Sequence, residues 1–367
     1  MRTLNKEELY DILNGCVILG CGGGGSLERS VKQINEALDK GYTFKLASFD
    51  DIDDDDYIVT AYYCGAISPD NEVENKKYAN LPLLDRNPVL AAVNQLENTF
   101  KIKINGIISS ELGGGNTGVA LYIAATSGKY LVDGDPAGRA LPELQQSTYF
   151  LDQIPMTPIS LVNKFGESAI FTKVASDFRA ETLVRALAVV SKNRIGVADH
   201  LMKASILKNS VIKGAISQAL VIGQTWRKSL ECKTNVASDV AAAGGGVVFF
   251  NGKLETVKWD TIDGFTVGDL YIKNSEGDML RIWFKNENLL SWLNNKPYIM
   301  SPDLICLFDN VTGVPLVNPN YTEGISVSAV VLPAPAKWTT PKGLATLGPE
   351  DFGQSIKWHS YKEILAK

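Results

Sequence analysis

Histidine is scarce in this chain of 367 residues: there are two, His200 and His359. A zinc site built mainly from histidines is therefore excluded, although His200 can still join Asp, Glu or Cys ligands. The five cysteines (Cys16, Cys21, Cys64, Cys232 and Cys306) are odd in number and scattered, with no C-x-x-C pair. They read as free thiols in a reducing cytoplasm rather than as a disulfide framework. No apolar run approaches the about 20 residues that a membrane-spanning helix needs. Lysine and arginine form no tract interleaved with aromatics, and the net charge is -5. Both features argue against a nucleic-acid partner. The opening segment, MRTLNKEELYDILNG, carries acids at helical spacing and does not read as a signal peptide.

What is present is glycine, in clusters. Gly20-Cys21-Gly22-Gly23-Gly24-Gly25 follows the apolar Val17–Leu19, and Ser26 can cap the helix beyond it. Ile107-Ile108 suits a strand ending at Ser109-Ser110-Glu111, followed by Gly113-Gly114-Gly115-Asn116 and an apolar helix over 117–127. A further strand, Lys129 to Val132, leads into Asp133-Gly134-Asp135. Phe44–Leu46 and Tyr57–Tyr63 add two strands, and residues 176–191 and 209–230 look helical. Alternating strand, glycine loop and helix predict a largely parallel sheet covered by helices, with its site beyond the carboxyl ends of the strands. From 247 the texture changes to short strands with turns at Asn251-Gly252, Asp263-Gly264 and Glu276-Gly277-Asp278, as in a barrel or sandwich. The fold class read from the chain is thus an α/β N-terminal domain with Gly-rich strand–helix loops, over 1–245 and completed by 336–367. An all-β, barrel-like domain occupies 246–335.

Three constellations carry candidate chemistry. The loop Gly22, Gly23, Gly24, Gly25 opens a helix, where free N–H groups suit anions or carbonyl oxygens. It lacks the lysine of a phosphate loop, and its G-x-G-x-x-G match is nearly automatic with so many glycines. A tight turn for close packing explains it equally simply. Glu111 stands before Gly114, Gly115 and Asn116, and the run of glycines favours close backbone approach to a ligand; Asn116 also reads as a plain N-cap. Asp133 and Asp135 flank a glycine ahead of Arg139. They can act as bases or metal ligands, and Arg139 can grip a substrate carboxylate bidentately. The plainer alternative is a turn with an internal Arg–Asp pair. Cys21, by a helix start, and Cys64 are nucleophile candidates, although small buried cysteines are the commoner case. A serine triad has no G-x-S-x-G elbow to support it.

These motifs resemble one family. ILGCGGGGS (18–26), SELGGGNTGVALYIAATSGKYLVDGDPAGRALPEL (110–144), HLMKA (200–204), GFTVGD (264–269), FKNENL (284–289), SPDLI (301–305) and LGPEDFG (347–353) are similar, in order, to the S-methyl thiohydantoin desulfurase family. Its acidic glycine motifs map to Glu111, Asn116, Asp133, Asp135, Arg139 and Glu143. A departure falls at Gly65–Val73, where Glu72 matches but a proline is displaced and a lysine is missing. The resemblance implies a hydrolase acting on a hydantoin-like five-membered ring and releasing a thiol. Its expected catalytic residues are Asp133, Asp135, Glu111 and Glu72. Gly22–Gly25, Gly114, Gly115, Asn116, Arg139 and His200 are expected to bind substrate. A divalent metal such as zinc has Asp133, Asp135 and His200 as candidate ligands. The expected partner is a small cyclic amide or isothiourea, and a homo-oligomer is expected. The runner-up is a non-catalytic accessory subunit of a hydantoinase-type system. A nucleotide-dependent enzyme is a third reading, weakened by the missing phosphate-loop lysine.

Overall fold

The computed structural model describes residues 1–65 and 78–366. Glu72 and the family departure around it lie outside the described residues. The strands in chain order are β1 (Arg2–Leu4), β2 (Phe44–Ala47), β3 (Tyr57–Gly65), β4 (Ile104–Ile108), β5 (Tyr130–Val132), β6 (Gly134–Asp135), β7 (Ile159–Val162), β8 (Ser168–Phe171), β9 (Arg194–Lys203) and β10 (Ile212–Lys213). Eight of them form one sheet in the order β1-β2-β5-β4-β3-β9-β7-β8, while β6 and β10 pair separately. Only β2, β5, β4 and β3 run parallel; β1, β9, β7 and β8 join antiparallel. The sheet is mixed, which corrects the largely parallel expectation.

The first glycine loop is also placed differently. A capping box between Asn5 and Glu8 starts helix α1 (Lys6–Leu19), and the helix runs through Val17–Leu19 to the loop. Ser26 then caps α2 (Leu27–Asp39) as expected. The loop therefore joins two helices instead of a strand and a helix. At the second loop, Asn116 is the first residue of the helix Asn116–Thr126 and not its cap.

The rest of the chain builds an antiparallel sheet of seven strands: β11 (Val247–Ile262), β12 (Phe265–Lys273), β13 (Met279–Lys285), β14 (Glu287–Leu293), β15 (Lys296–Met300), β16 (Leu304–Asp309) and β17 (Ser326–Leu332). Their order is β15-β14-β13-β12-β11-β17-β16, a curled half-barrel whose edge strands do not pair. Asn251-Gly252 is no turn, because β11 passes straight through it. Asp263-Gly264 and the loop at Gly277 do turn the chain, both with positive φ. Leu254, Leu270, Ile282 and Phe284 fill this sheet's own core. Leu304, Cys306, Phe308 and Val330 instead join the core of α1 and the first sheet, so the two sheets are packed as one body. The proline-rich return buries Trp338, whose indole N–H donates to Ala137 O at 2.7 Å.

Candidate functional site

Both glycine loops meet at the seam between the two sheets, and they meet each other first. A Cβ on Gly24 would stand 2.4 Å from Gly113 Cα. Gly24 O accepts from the amides of Gly115 (2.8 Å) and Asn116 (3.2 Å), and Gly113 N–H donates to Thr117 Oγ1. The amides of Gly113, Gly115 and Asn116 are thus spent inside the protein, while that of Gly114 meets no acceptor among the described residues. Gly114 packs on Val17 and Leu27. On the other side Asn288 and Asn318 of the second sheet's region donate from their backbone N–H groups to Cys21 O and Gly22 O. Among the described residues, the amides of Gly24, Gly25 and Ser26 meet no acceptor.

Beside this junction lies a cleft of about 800 Å³. Its walls include Gly22–Gly25, Gly115 and Asn116 of the loops, Thr60, Tyr62 and Cys64 of β3, Ser110 and Glu111 beyond β4, and Asp199 and His200 of β9. Thr266, Glu287 and Asn318 close it from the second sheet's side.

His200 is the most constrained of these. Thr60 pairs with Asp199 and Ile58 with Met202, so two residues of β9, His200 and Leu201, face the single Val59. This bulge holds His200 at φ 45, a strained conformation for a side-chain-bearing residue. The bulge aims the ring at the cleft, where it stacks on Tyr149 with centroids 4.3 Å apart. His200 Nδ1 lies 2.8 Å from Asp199 Oδ1, and Tyr62 Oη donates to Asp199 Oδ2 at 2.7 Å. A carboxylate accepts, so the hydrogen of this contact sits on Nδ1, and in the tautomer with a single ring hydrogen Nε2 keeps the lone pair. Nε2 is buried and meets no partner among the described residues. Ser110 Oγ, Thr266 Oγ1 and Glu287 Oε2 are in the same condition. Four of the six such orphans, with Gln145 and Trp358 the others, therefore line this one cleft. Buried polar atoms are normally satisfied, so their concentration marks a ligand-binding surface.

Two carboxyl groups share the cleft. Glu111 accepts from Asn116 Nδ2 (2.7 Å) and from Leu141 N–H (2.8 Å), while desolvation pushes its pKa up to about 7. Glu287 is almost wholly buried against Gly23, and burial followed by the repulsion of Glu111 raises its pKa well above the carboxylate range. Both effects favour its protonated form. Glu143 pairs with Lys285 at the rim. Cys64 lines the wall, but burial pushes its thiol up to about 12. Burial acts in the same direction on Cys21; a hydrogen bond from Cys306 and the charge of Arg139 outweigh it and leave that thiol low. Cys21 is buried outside the cleft wall.

Pro136 of the Asp–Gly–Asp–Arg segment lines the cleft, but Asp133, Asp135 and Arg139 do not. The Asp133 carboxylate accepts from Ser217 N–H (2.9 Å) and Ser217 Oγ (2.6 Å), at the start of the helix Ala215–Cys232. Both Asp135 oxygens accept from Gly138 N–H, and the residue is fully buried. Arg139 is also fully buried, and its guanidinium donates to the carbonyls of Ala140, Pro302, Asp303 and Asn288. It ties the two sheets together and has no donor facing the cleft. The two aspartates and Arg139, expected as bases and as a carboxylate grip, are thus placed away from the cleft with partners inside the protein. Nor do Asp133, Asp135 and His200 form a metal-ligand set: among the described residues no three His, Cys, Asp or Glu side chains converge in a way that could hold an ion.

Burial pushes the Asp135 carboxyl up to about 8. An acid whose folded pKa exceeds its unfolded value of about 4 stabilises the fold below pH 4 and loses that contribution as pH rises to its folded pKa. Stability should therefore fall between about pH 4 and pH 8, and Asp135→Asn should flatten the upper part of that fall. Chemical denaturation across this window checks it. An unchanged slope in the variant would show that Asp135 is ionised throughout.

The fold and site together define a protein of one mixed α/β sheet packed on an antiparallel half-barrel, with an Asp–His pair and a buried acid at the seam. The chain belongs to the S-Me-THD-like family: its N-terminal domain matches residues 7–173 and its C-terminal domain residues 175–361. Among curated proteins none matches. A crystal structure of a protein from Chromobacterium violaceum is similar over 98% of this chain and 100% of that one, with a TM-score of 0.79 and 21% identity. That likeness establishes the shared fold. Among the described residues, no helix is long and apolar enough to cross a membrane.

Proposed function

We propose that the chain is a hydrolase that cleaves the exocyclic C–S bond of an S-methyl thiohydantoin-type ring, releasing methanethiol and leaving a hydantoin. The observation that carries this reading is the unpartnered His200 Nε2, oriented by Asp199 and aimed into a cleft that also holds the buried Glu287 carboxyl. The family's name supports the ring class.

Water adds to the ring carbon bonded to sulfur while His200 Nε2 takes one of its protons. Glu287 protonates the ring nitrogen of the breaking C=N bond. The C–S bond then breaks, the imidazolium proton goes to the departing sulfur, and the hydroxyl of the adduct returns a proton to Glu287 as the new carbonyl forms. Both residues end as they began. Asp199 stabilises the transient imidazolium, and Tyr62 holds Asp199 in place. The hydroxyls of Ser110 and Thr266 supply donors for charge developing at the ring.

The test is a thiol-release assay with an S-methyl thiohydantoin. Wild type should release one thiol per ring. Glu287→Gln, which keeps shape and loses the proton, should lower kcat about 100-fold with little change in KM. A folded wild-type protein that releases no thiol would reject the reaction, and an active Glu287→Gln would remove Glu287 from it.

A further inference from the structure

Strand β11 runs past the sheet that holds it. Its first half pairs with β17 as far as Lys253–Ser326, and from Thr256 to Ile262 its one neighbour among the described strands is β12. Asp263-Gly264, both at positive φ, close β11 on β12 as a two-residue turn. Such a turn makes Ile262–Phe265 a hydrogen-bonded pair, and pairs in an antiparallel ladder alternate. Lys258, Asp260 and Ile262 therefore turn their backbone groups to β12, while those of Val257, Trp259 and Thr261 point to the open side. Two of these outward N–H groups are capped by side chains: Val257 N–H donates to Glu323 Oε1 at 2.9 Å and Thr261 N–H to Asp260 Oδ1 at 2.7 Å. That of Trp259 faces no acceptor among the described residues.

The side chains along this edge are left unmatched as well. Trp259 and Ile262 are each 50% exposed. Lys258 and Asp260 are exposed and make no ion pair with a described residue; Asp269, across from Lys258 on β12, is taken by Arg281. A bare strand edge is a template for another strand. If the second strand is the same edge of another copy, outward groups must meet outward groups, so near the middle of the stretch a two-fold axis passes at Lys258, Trp259 or Asp260. An axis at Lys258 or Asp260 sets that charge against its own kind. An axis at Trp259 sets each Lys258 opposite Asp260 of the second copy, which makes two ion pairs on one face of the ribbon and places the two indoles opposite each other on the other face.

We infer that the chain dimerises by antiparallel pairing of the 256–262 edges of two copies about a two-fold axis at Trp259, which joins their second sheets into one. The contact is a single strand pair, so the dimer is a modest one that dissociates on dilution. The inference stands apart from the proposed reaction. The same hairpin brings Gly264 and Thr266 to the cleft, so pairing also steadies one of the cleft's walls.

Sedimentation velocity of the full chain at concentrations up to about 100 µM tests this. Wild type should pass from monomer to dimer across the range. Lys258→Asp and, separately, Asp260→Lys set like charges opposite each other at both places, and each should raise the dimer dissociation constant at least about 10-fold. An equimolar mixture of these two variants restores both opposite-charge pairs, so it should dimerise about as well as wild type although neither variant does so alone. The double variant Lys258→Asp/Asp260→Lys carries the same two pairs reversed and should also dimerise like wild type. Its recovery shows that the single variants lose the contact and not the fold. A wild type that stays monomeric at about 100 µM overturns the inference. So does a dimer indifferent to either single substitution, or one that neither the mixture nor the double variant recovers.

Discussion

His200→Ala is expected to lower kcat by about 10³-fold, within the usual range for removing a general base. The expectation follows from where the protons go. His200 Nε2 is the only unpartnered ring nitrogen in the cleft among the described residues, and Asp199 already fixes its tautomer. Burial raises the Glu287 carboxyl and the Cys64 thiol and so disfavours both as bases, which leaves Glu111 as the one other carboxyl that can compete among those described in the cleft. KM should change little, because the water that His200 activates is not part of substrate binding. Asp199→Asn should lose most of the same activity, since an amide at that position can donate to Nδ1 and reverse the tautomer. Thiol release under single-turnover conditions reads both. A His200→Ala protein within 10-fold of wild type would move the base to another residue, Glu111 first, whose carboxyl at about 7 is half-ionised at neutral pH.

The second large effect concerns stability. Gly24→Ala should destabilise the fold by about 3–5 kcal/mol, the sum of left-handed backbone strain and a forced backbone shift. Gly24 has φ +85, and its Cβ would meet Gly113 Cα at 2.4 Å, backbone against backbone. No side chain can swing aside there. Gly128 separates the two contributions: its φ is +70 and nothing lies within 4 Å of its Cβ position. Gly128→Ala should cost only the strain, about 1–2 kcal/mol. Denaturant unfolding of the three proteins measures the difference. Equal costs at the two positions would mean that the glycine loops can part without penalty.

These two residues also show what the chain discloses by itself. The glycine clusters announce close approach, and close approach is what they perform; the partner, however, is the other loop. Sequence spacing cannot distinguish a backbone crossing from a ligand cradle, because both require a missing Cβ. The Asp–Gly–Asp–Arg stretch misleads for a related reason. Carboxylates and a guanidinium make good chemistry and equally good structural ties, and only burial with filled partners separates the two. Strand β9 was not legible at all. Gly196, Ala198, Asp199 and His200 disfavour a strand by local preference, and β9 forms because it fits between β3 and β7. With it went Asp199, although the neighbouring pair Asp199-His200 was there to be read. Glu287 lay inside a motif stretch, FKNENL, without being singled out, since its function depends on burial against Gly23. The strand segments around β3, β4 and β5 and the antiparallel second sheet were legible, because their apolar runs and turn residues agree with the final fold.

The central claim is that water activated at His200 replaces sulfur on the ring. Turnover in ¹⁸O-labelled water, followed by mass spectrometry of the ring product, tests it most directly. The account predicts one thiol released and one ¹⁸O gained per ring, at the carbon that carried sulfur, with both lost together in His200→Ala. A ring opened with its sulfur retained, or a thiol released without label in the product, would contradict it.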